Sequence, residues 1–300
     1  MKKKTYLFTL MAMALTLGSC SDNENGIGGE TSKYITVSTS IGNMTRVATD
    51  EKGGQTFEEG DEISVYAWTG DATVAPETRE RVVNNAINKL TNGSWISNPQ
   101  MLWKNNRDKH YFIGVYPISA ISDLSAGEYT FDETKQVESD LLVAVNKDGL
   151  SYNVDEQQPV PLTFTHVMAK LVVNLTYKNQ WGGIPTVEKV VVGNAAKEAT
   201  INYLTKVVTP STTAKEDFSL PEITENTKYV SVIIPQEDVK QLTIVIGGKN
   251  FVYDNGTPFK LESGKITTVN LEVGRDEIKL GDVKITNWED GSTFSGEALN

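Results

Sequence analysis

From Tyr34 onward, apolar side chains recur at every second residue and almost never at helical spacing. A period of two places successive side chains on opposite faces of an extended strand, so it commits the chain to sheets with a buried face. In the first such run, residues 34–41, Ile35, Val37, Thr39 and Ile41 share one face. In residues 61–68, Ile63, Val65 and Ala67 line one face, and Tyr66 and Trp68 the other. Further strands are predicted at 109–116, 128–131, 140–145, 187–192, 199–204, 228–234, 241–246, 250–253, 265–273 and 282–288. A weakly periodic one at 81–90 is expected to be partly irregular. Residues 48–60 and 210–215 read as loops. Asp254-Asn255-Gly256 reads as a hairpin turn, because Asn-Gly tolerates the positive φ of tight turns.

The longest apolar run, residues 161–177, changes parity inside. Leu162 and Phe164 are even, while Leu171, Val173 and Leu175 are odd. One straight strand cannot put both sets on one face, so a break is expected near 166–170, where the chain passes between sheets. The expected fold is all-β, built as two tandem β-sandwich domains, 33–167 and 168–300.

Residues 1–19 have the parts of an export signal: Lys2, Lys3 and Lys4, then an apolar stretch, then Leu17-Gly18-Ser19 before Cys20. The apolar stretch is shorter than the roughly 20 residues a spanning helix needs. Leu-Gly-Ser-Cys looks like a bacterial lipobox, which makes Cys20 the expected lipidation site. Diacylglycerol would sit on its sulfur and an acyl chain, such as palmitate, on its amine. Residues 20–32 read as a flexible tether. Cys20 is the only cysteine, so disulfides and Cys-based metal sites are excluded. The formal charge is −11, and about −14 once the three leader lysines are removed, which argues against a nucleic-acid partner.

Catalytic constellations are missing. His110 and His166 lie in separate candidate strands with no recognisable triad or metal partners. There is no Gly-x-Ser-x-Gly elbow, P-loop or EF-hand spacing, and the carboxylates are scattered. No enzyme activity, cofactor or metal is expected. A surface glycan-binding lipoprotein is the alternative to an assembly role, with tryptophans such as Trp68 or Trp181 as stacking platforms.

Several segments, in order, resemble the fimbrillin-like (Mfa-like) lipoproteins, subunits of type V pili of anaerobic Gram-negative bacteria. They are Thr45-Arg46; Phe57-x-x-Gly60-Asp61-x-Ile63-x-Val65-Tyr66; Trp103 followed by Tyr111-Phe112-x-x-Val115-Tyr116-Pro117; and Ser139-Asp140-Leu141-Leu142-x-Ala144. Leu162-x-Phe164-x-His166-x-Met168-Ala169-Lys170-Leu171-x-Val173 and Ile285-x-x-Trp288 complete the set. The resemblance implies transthyretin-like sandwiches at the cell surface, outside the outer membrane to which a lipid anchor attaches them. It further implies a processing protease that cuts between Arg46 and Val47, releasing the strand with Ile35, Val37 and Ile41. Other pilus subunits are the implied partners: a C-terminal strand from a neighbour, with Val283 and Ile285 inward, would fill the vacated groove.

Overall fold

The computed structural model describes residues 33–42, 56–153, 158–254 and 256–288; Cys20, Arg46 and Val47 lie outside these. Eight strands form the first half: β1 (Val37–Ile41), β2 (Glu62–Thr69), β3 (Arg81–Thr91), β4 (Ser94–Asn98), β5 (His110–Tyr116), β6 (Gly127–Thr130), β7 (Leu142–Leu150) and β8 (Val160–His166). The second half begins with β9 (Ala169–Tyr177), β10 (Val187–Ala196), β11 (Glu198–Asn202), β12 (Val207–Pro210), β13 (Lys215–Ser219) and β14 (Glu222–Thr224). It ends with β15 (Lys228–Ile233), β16 (Gln241–Ile246), β17 (Lys249–Asp254), β18 (Lys265–Val273) and β19 (Ile278–Asn287).

The fold is all-β, as the period of two requires. A seven-stranded sheet has the order β1-β8-β7-β5-β2-β3-β4, and a five-stranded sheet the order β14-β15-β9-β18-β19. A four-stranded sheet, β13-β10-β16-β17, and a three-stranded sheet, β12-β11-β6, complete the layers. The parity change in 161–177 is the handover between sheets. β8 ends at His166 in the seven-stranded sheet, Val167 and Met168 turn the chain, and β9 starts in the five-stranded sheet.

The seven-stranded sheet is buried on both faces. Ile63, Val65 and Ala67 of β2, Phe112 of β5, and Leu162 and Phe164 of β8 enter one core. Tyr66, Trp68, Ile113 and Val115 face the other core, shared with Ile201 and Tyr203 and with the five- and four-stranded sheets. Strands buried on both faces need near-continuous apolar sequence, and β2 and β5 have it.

The hairpin β11–β12 crosses the boundary expected at 167/168. β11 pairs with β6, Ala199 opposite Tyr129, so both halves contribute to the layer over the seven-stranded sheet. Gly127 permits the close approach, since a Cβ there would stand 2.5 Å from the Tyr203 ring. The described residues from Lys33 to Trp288 group as one unit.

The Asp254–Gly256 hairpin reading is corrected. β17 belongs to the four-stranded sheet and β18 to the five-stranded one, so the turn does not join paired neighbours. The hairpin is one turn earlier: Gly247 and Gly248, with φ of 59° and 70°, link β16 to β17. Two successive positive φ values suit the right-handed twist of the flanking strands. The irregularity expected in residues 81–90 is a bulge at Asn85, φ 55°, opposite the shift between Val65 and Ala67.

Candidate assembly site

β1 is formally the edge of the seven-stranded sheet, yet the strand and the residues leading into it are bonded on both sides. It runs parallel to β8, with Val37 opposite Val160 and Ile41 opposite Phe164. The pairing extends past both ends: Val160 N–H donates to Thr36 C=O at 2.8 Å, and Gly42 N–H to Phe164 C=O at 2.9 Å. On its other side, Ile35 N–H donates to Met101 C=O at 2.9 Å and Trp103 N–H to Lys33 C=O at 3.1 Å, about an antiparallel bridge between Tyr34 and Leu102. Further along, the Trp95 indole N–H of β4 donates to Thr39 Oγ1 at 2.9 Å. The two ends of the sheet therefore meet at β1, which closes the sheet around its inner core.

The alternation places Ile35, Val37, Thr39 and Ile41 on that core. Ile35, Val37 and Ile41 are buried, while Thr36, Ser38 and Ser40 are exposed. Fully burying such side chains stabilises by roughly 1.5–3 kcal/mol each. Aromatic packing closes the slot: the Phe57 ring meets Trp95, Tyr116 and Phe164 edge-on at 5.3, 5.5 and 5.1 Å between centroids. Phe164 lies flat against the sheet because residue 114 is glycine; a Cβ there would come within 2.6 Å of its ring. Phe57 opens the turn of the Phe57-x-x-Gly60-Asp61 motif. There Asp61 Oδ2 accepts from Glu58 N–H at 2.6 Å, and Gly60 takes a φ of 94° that favours glycine. The chain leaves β1 at Gly42 and returns at Phe57, so Arg46 and Val47 fall in the connection between them, outside the described residues.

Sequence reasoning identified Ile35, Val37 and Ile41 but missed the second side of the strand. Met101–Trp103 is not periodic, and Leu102 is half exposed. The available signal was Trp103 with His110 seven residues on, since their rings meet edge-on at 5.0 Å. His110 is buried; its Nε2 accepts from Lys104 N–H at 3.1 Å, and Nδ1–H donates to Asp108 C=O at 3.0 Å. The bond to Lys104 N–H requires the neutral ring, because a protonated Nε2 cannot accept. Burial lowers the His110 pKa below its ordinary 6.5, against the pull of the Asp108 carbonyl and carboxylate.

The folded state thus binds its proton less readily than the unfolded chain. The stability His110 contributes is complete above pH 6.5 and is lost as pH falls through the lowered folded value. Melting temperature is expected to decline with pH below that point, and the decline to shrink in His110→Gln. Parallel pH series of thermal melts check this.

Val283 and Ile285 lie on β19, opposite Val269 and Thr267 of β18. A bulge at Gly281 lets Leu280 and Val283 face the same side. There the core runs out: both Val283 and Ile285 are 40% exposed. Among the described residues β19 is an edge strand, paired only with β18.

Of the five tryptophans, Trp68 and Trp288 are buried, and Trp95, Trp103 and Trp181 are half-buried. The Trp68 indole N–H donates to Asp71 C=O at 2.9 Å, and that of Trp181 to Val273 C=O at 2.9 Å under the Arg275 guanidinium. Among the described residues, no three His, Cys, Asp or Glu side chains gather as a metal site.

The fimbrillin-like family matches residues 45–288. No curated protein matches the chain. Among solved structures, a candidate cell adhesion protein from Bacteroides ovatus superposes with TM-score 0.61 at 17% identity, over 86% of this chain and 99% of its own. A fimbrial protein from Bacteroides vulgatus gives 0.55 at 11%, over 86% and 100%. The tip fimbrial protein Mfa3 from Porphyromonas gingivalis, with a C-terminal truncation, gives 0.50 at 11%, over 85% and 99%. At these identities the structures speak for the fold, and the family match speaks for membership. The chain belongs to the fimbrillin-like family, whose members are non-enzymatic structural subunits of cell-surface fimbriae.

Proposed function

We propose that this chain is a polymerising fimbrial subunit that exchanges β1 for a strand of its neighbour. It is exported as a lipoprotein anchored to the outer membrane through Cys20, and a protease cuts after Arg46. The fragment bearing β1 then departs, and the C-terminal strand of another subunit, entering with Val283 and Ile285 inward, lies against β8.

The observation that carries this reading is the two-sided bonding of β1 at the seam of its sheet. The strand fills its slot through main-chain bonds, which any strand can make, and through alternate side chains, which select among strands. Its loss uncovers apolar surface and unpaired backbone together, and both favour uptake of a replacement. β19 has the matching character: ten residues, apolar positions left half exposed, and pairing along one edge.

Protein trimmed through Arg46 is expected to form ladders of polymers on size exclusion, while Val283→Asn with Ile285→Asn keeps it monomeric. At 40% exposure these two changes leave the monomer fold intact, so a melting temperature close to the parent's accompanies the loss. Trimmed parent protein that stays monomeric, or a double variant that polymerises equally, rejects the reading.

A further inference from the structure

Three segments far apart in sequence meet where the chain crosses from β8 to β9. Asp140 precedes β7, His166 ends β8, and Trp288 follows β19. All three lie in the family-like motifs, and none takes part in the seam at β1. The His166 side chain is fully buried and its Nδ1–H donates to Asp140 Oδ1 at 2.6 Å. The Trp288 indole, also fully buried, stacks on the imidazole with centroids 4.0 Å apart and planes 11° from parallel. The Lys170 ammonium stands 5.4 Å from the indole centroid, and the Trp288 main-chain N–H donates to Gly264 C=O at 3.0 Å.

The strand leading to Trp288 is held by its ladder to β18, by the Asn270–Asp282 and Lys265–Asn287 side-chain bonds, and by Ile278 and Leu280 partly buried against the core at its start. Residues 281–285 are all exposed, and among the described residues β19 pairs along one edge only. The one fully buried side chain near its end is the indole just beyond it. Its seat is unusual for a core, because His166 Nε2 and Asp140 Oδ2 have no hydrogen-bond partner among the described residues. Buried polar atoms are ordinarily paired. A seat with two unpaired atoms depends on the stacked indole to close it.

We infer that Trp288 is a clasp that holds the C-terminal strand on its own subunit, with the Asp140-braced imidazole of His166 as its seat. An edge strand whose fully buried side chain stands at its far end opens from that end once the side chain leaves. The purpose of the clasp rests on the donor-strand reading: the tail is retained until a groove is ready for it. The clasp itself is a property of the single chain.

Hydrogen–deuterium exchange on the full-length monomer tests it. Trp288→Leu fills volume without a stacking face, and is expected to speed exchange across 278–287 at least tenfold while β10 and β16 stay protected. Trp288→Phe keeps a ring on the imidazole and is expected to retain most of the protection. Unchanged protection in Trp288→Leu overturns the clasp, as does equal loss in the Leu and Phe variants. The two readings fail separately. A loosened β19 in Trp288→Leu, with trimmed parent protein that never polymerises, rejects strand donation and keeps the clasp. A protected β19 in Trp288→Leu, with trimmed parent protein that polymerises, rejects the clasp alone.

Discussion

In the Val283→Asn/Ile285→Asn background, which keeps the slot empty, protein lacking residues 1–46 is expected to melt more than 10 °C below the untrimmed double variant, and a peptide spanning 33–42 is expected to restore the difference when added in trans. Ile35, Val37 and Ile41 are buried in the inner core. At roughly 1.5–3 kcal/mol per side chain, their loss removes about 4.5–9 kcal/mol. Native domains hold only about 5–15 kcal/mol in all, and a chain of this size shifts by about 2–4 °C per kcal/mol. The main-chain bonds to β8 and to Met101–Trp103 are lost as well, which leaves the edge of β8 together with Met101 C=O and Trp103 N–H unpaired. Scanning calorimetry with and without peptide reads the effect. A trimmed double variant that melts within a few degrees of the untrimmed one contradicts the closing role of β1.

The second large effect is at the floor of the slot. Phe164→Ala is expected to cost about 3–5 kcal/mol, the usual range for a buried ring whose cavity cannot collapse. Phe164 is fully buried, touches Phe57 edge-on, and lies opposite Ile41. Gly114→Ala attacks the same contact from the other side. Its new methyl would come 2.6 Å from the Phe164 ring and 3.1 Å from Leu162 Cδ1. Overpacking of this kind costs about 1–3 kcal/mol. The two positions share one space, so their effects are coupled. Phe164→Leu is expected to recover part of the Gly114→Ala loss, and urea unfolding of the four proteins in that cycle measures the coupling. Additive losses contradict the packing account.

The sequence disclosed those features that depend on the alternation of one strand. Ile35, Val37 and Ile41 share parity and are buried together. The two faces of β2 read correctly because both are apolar, and the parity change in 161–177 marks the passage from one sheet to another. What escaped was strands with little buried surface. β4 alternates between exposed and half-buried, so it carries no apolar period. Its one local sign was Asn92-Gly93, where φ values of 51° and 73° make the two-residue turn from β3. β12 and β14 are likewise largely exposed.

Pairing between distant segments was illegible for a different reason. Nothing local to Gly127 or Ala199 says that β6 and β11 are neighbours, and the cost of closing such a long loop is met by the whole core. The Asn255-Gly256 signal identified a turn, but not that the next strand would join another sheet. Asp140, His166 and Trp288 each stood in a recognisable segment. Only the fold brings the three together, and it also gives β1 its second bonded side.

The central claim is that β1 is a placeholder, removed when the subunit assembles. The N-terminal residue of the protein recovered from surface fimbriae tests it most directly. The account predicts Val47, with residues 20–46 absent from the polymer. A polymerised subunit that still begins at acylated Cys20 contradicts it.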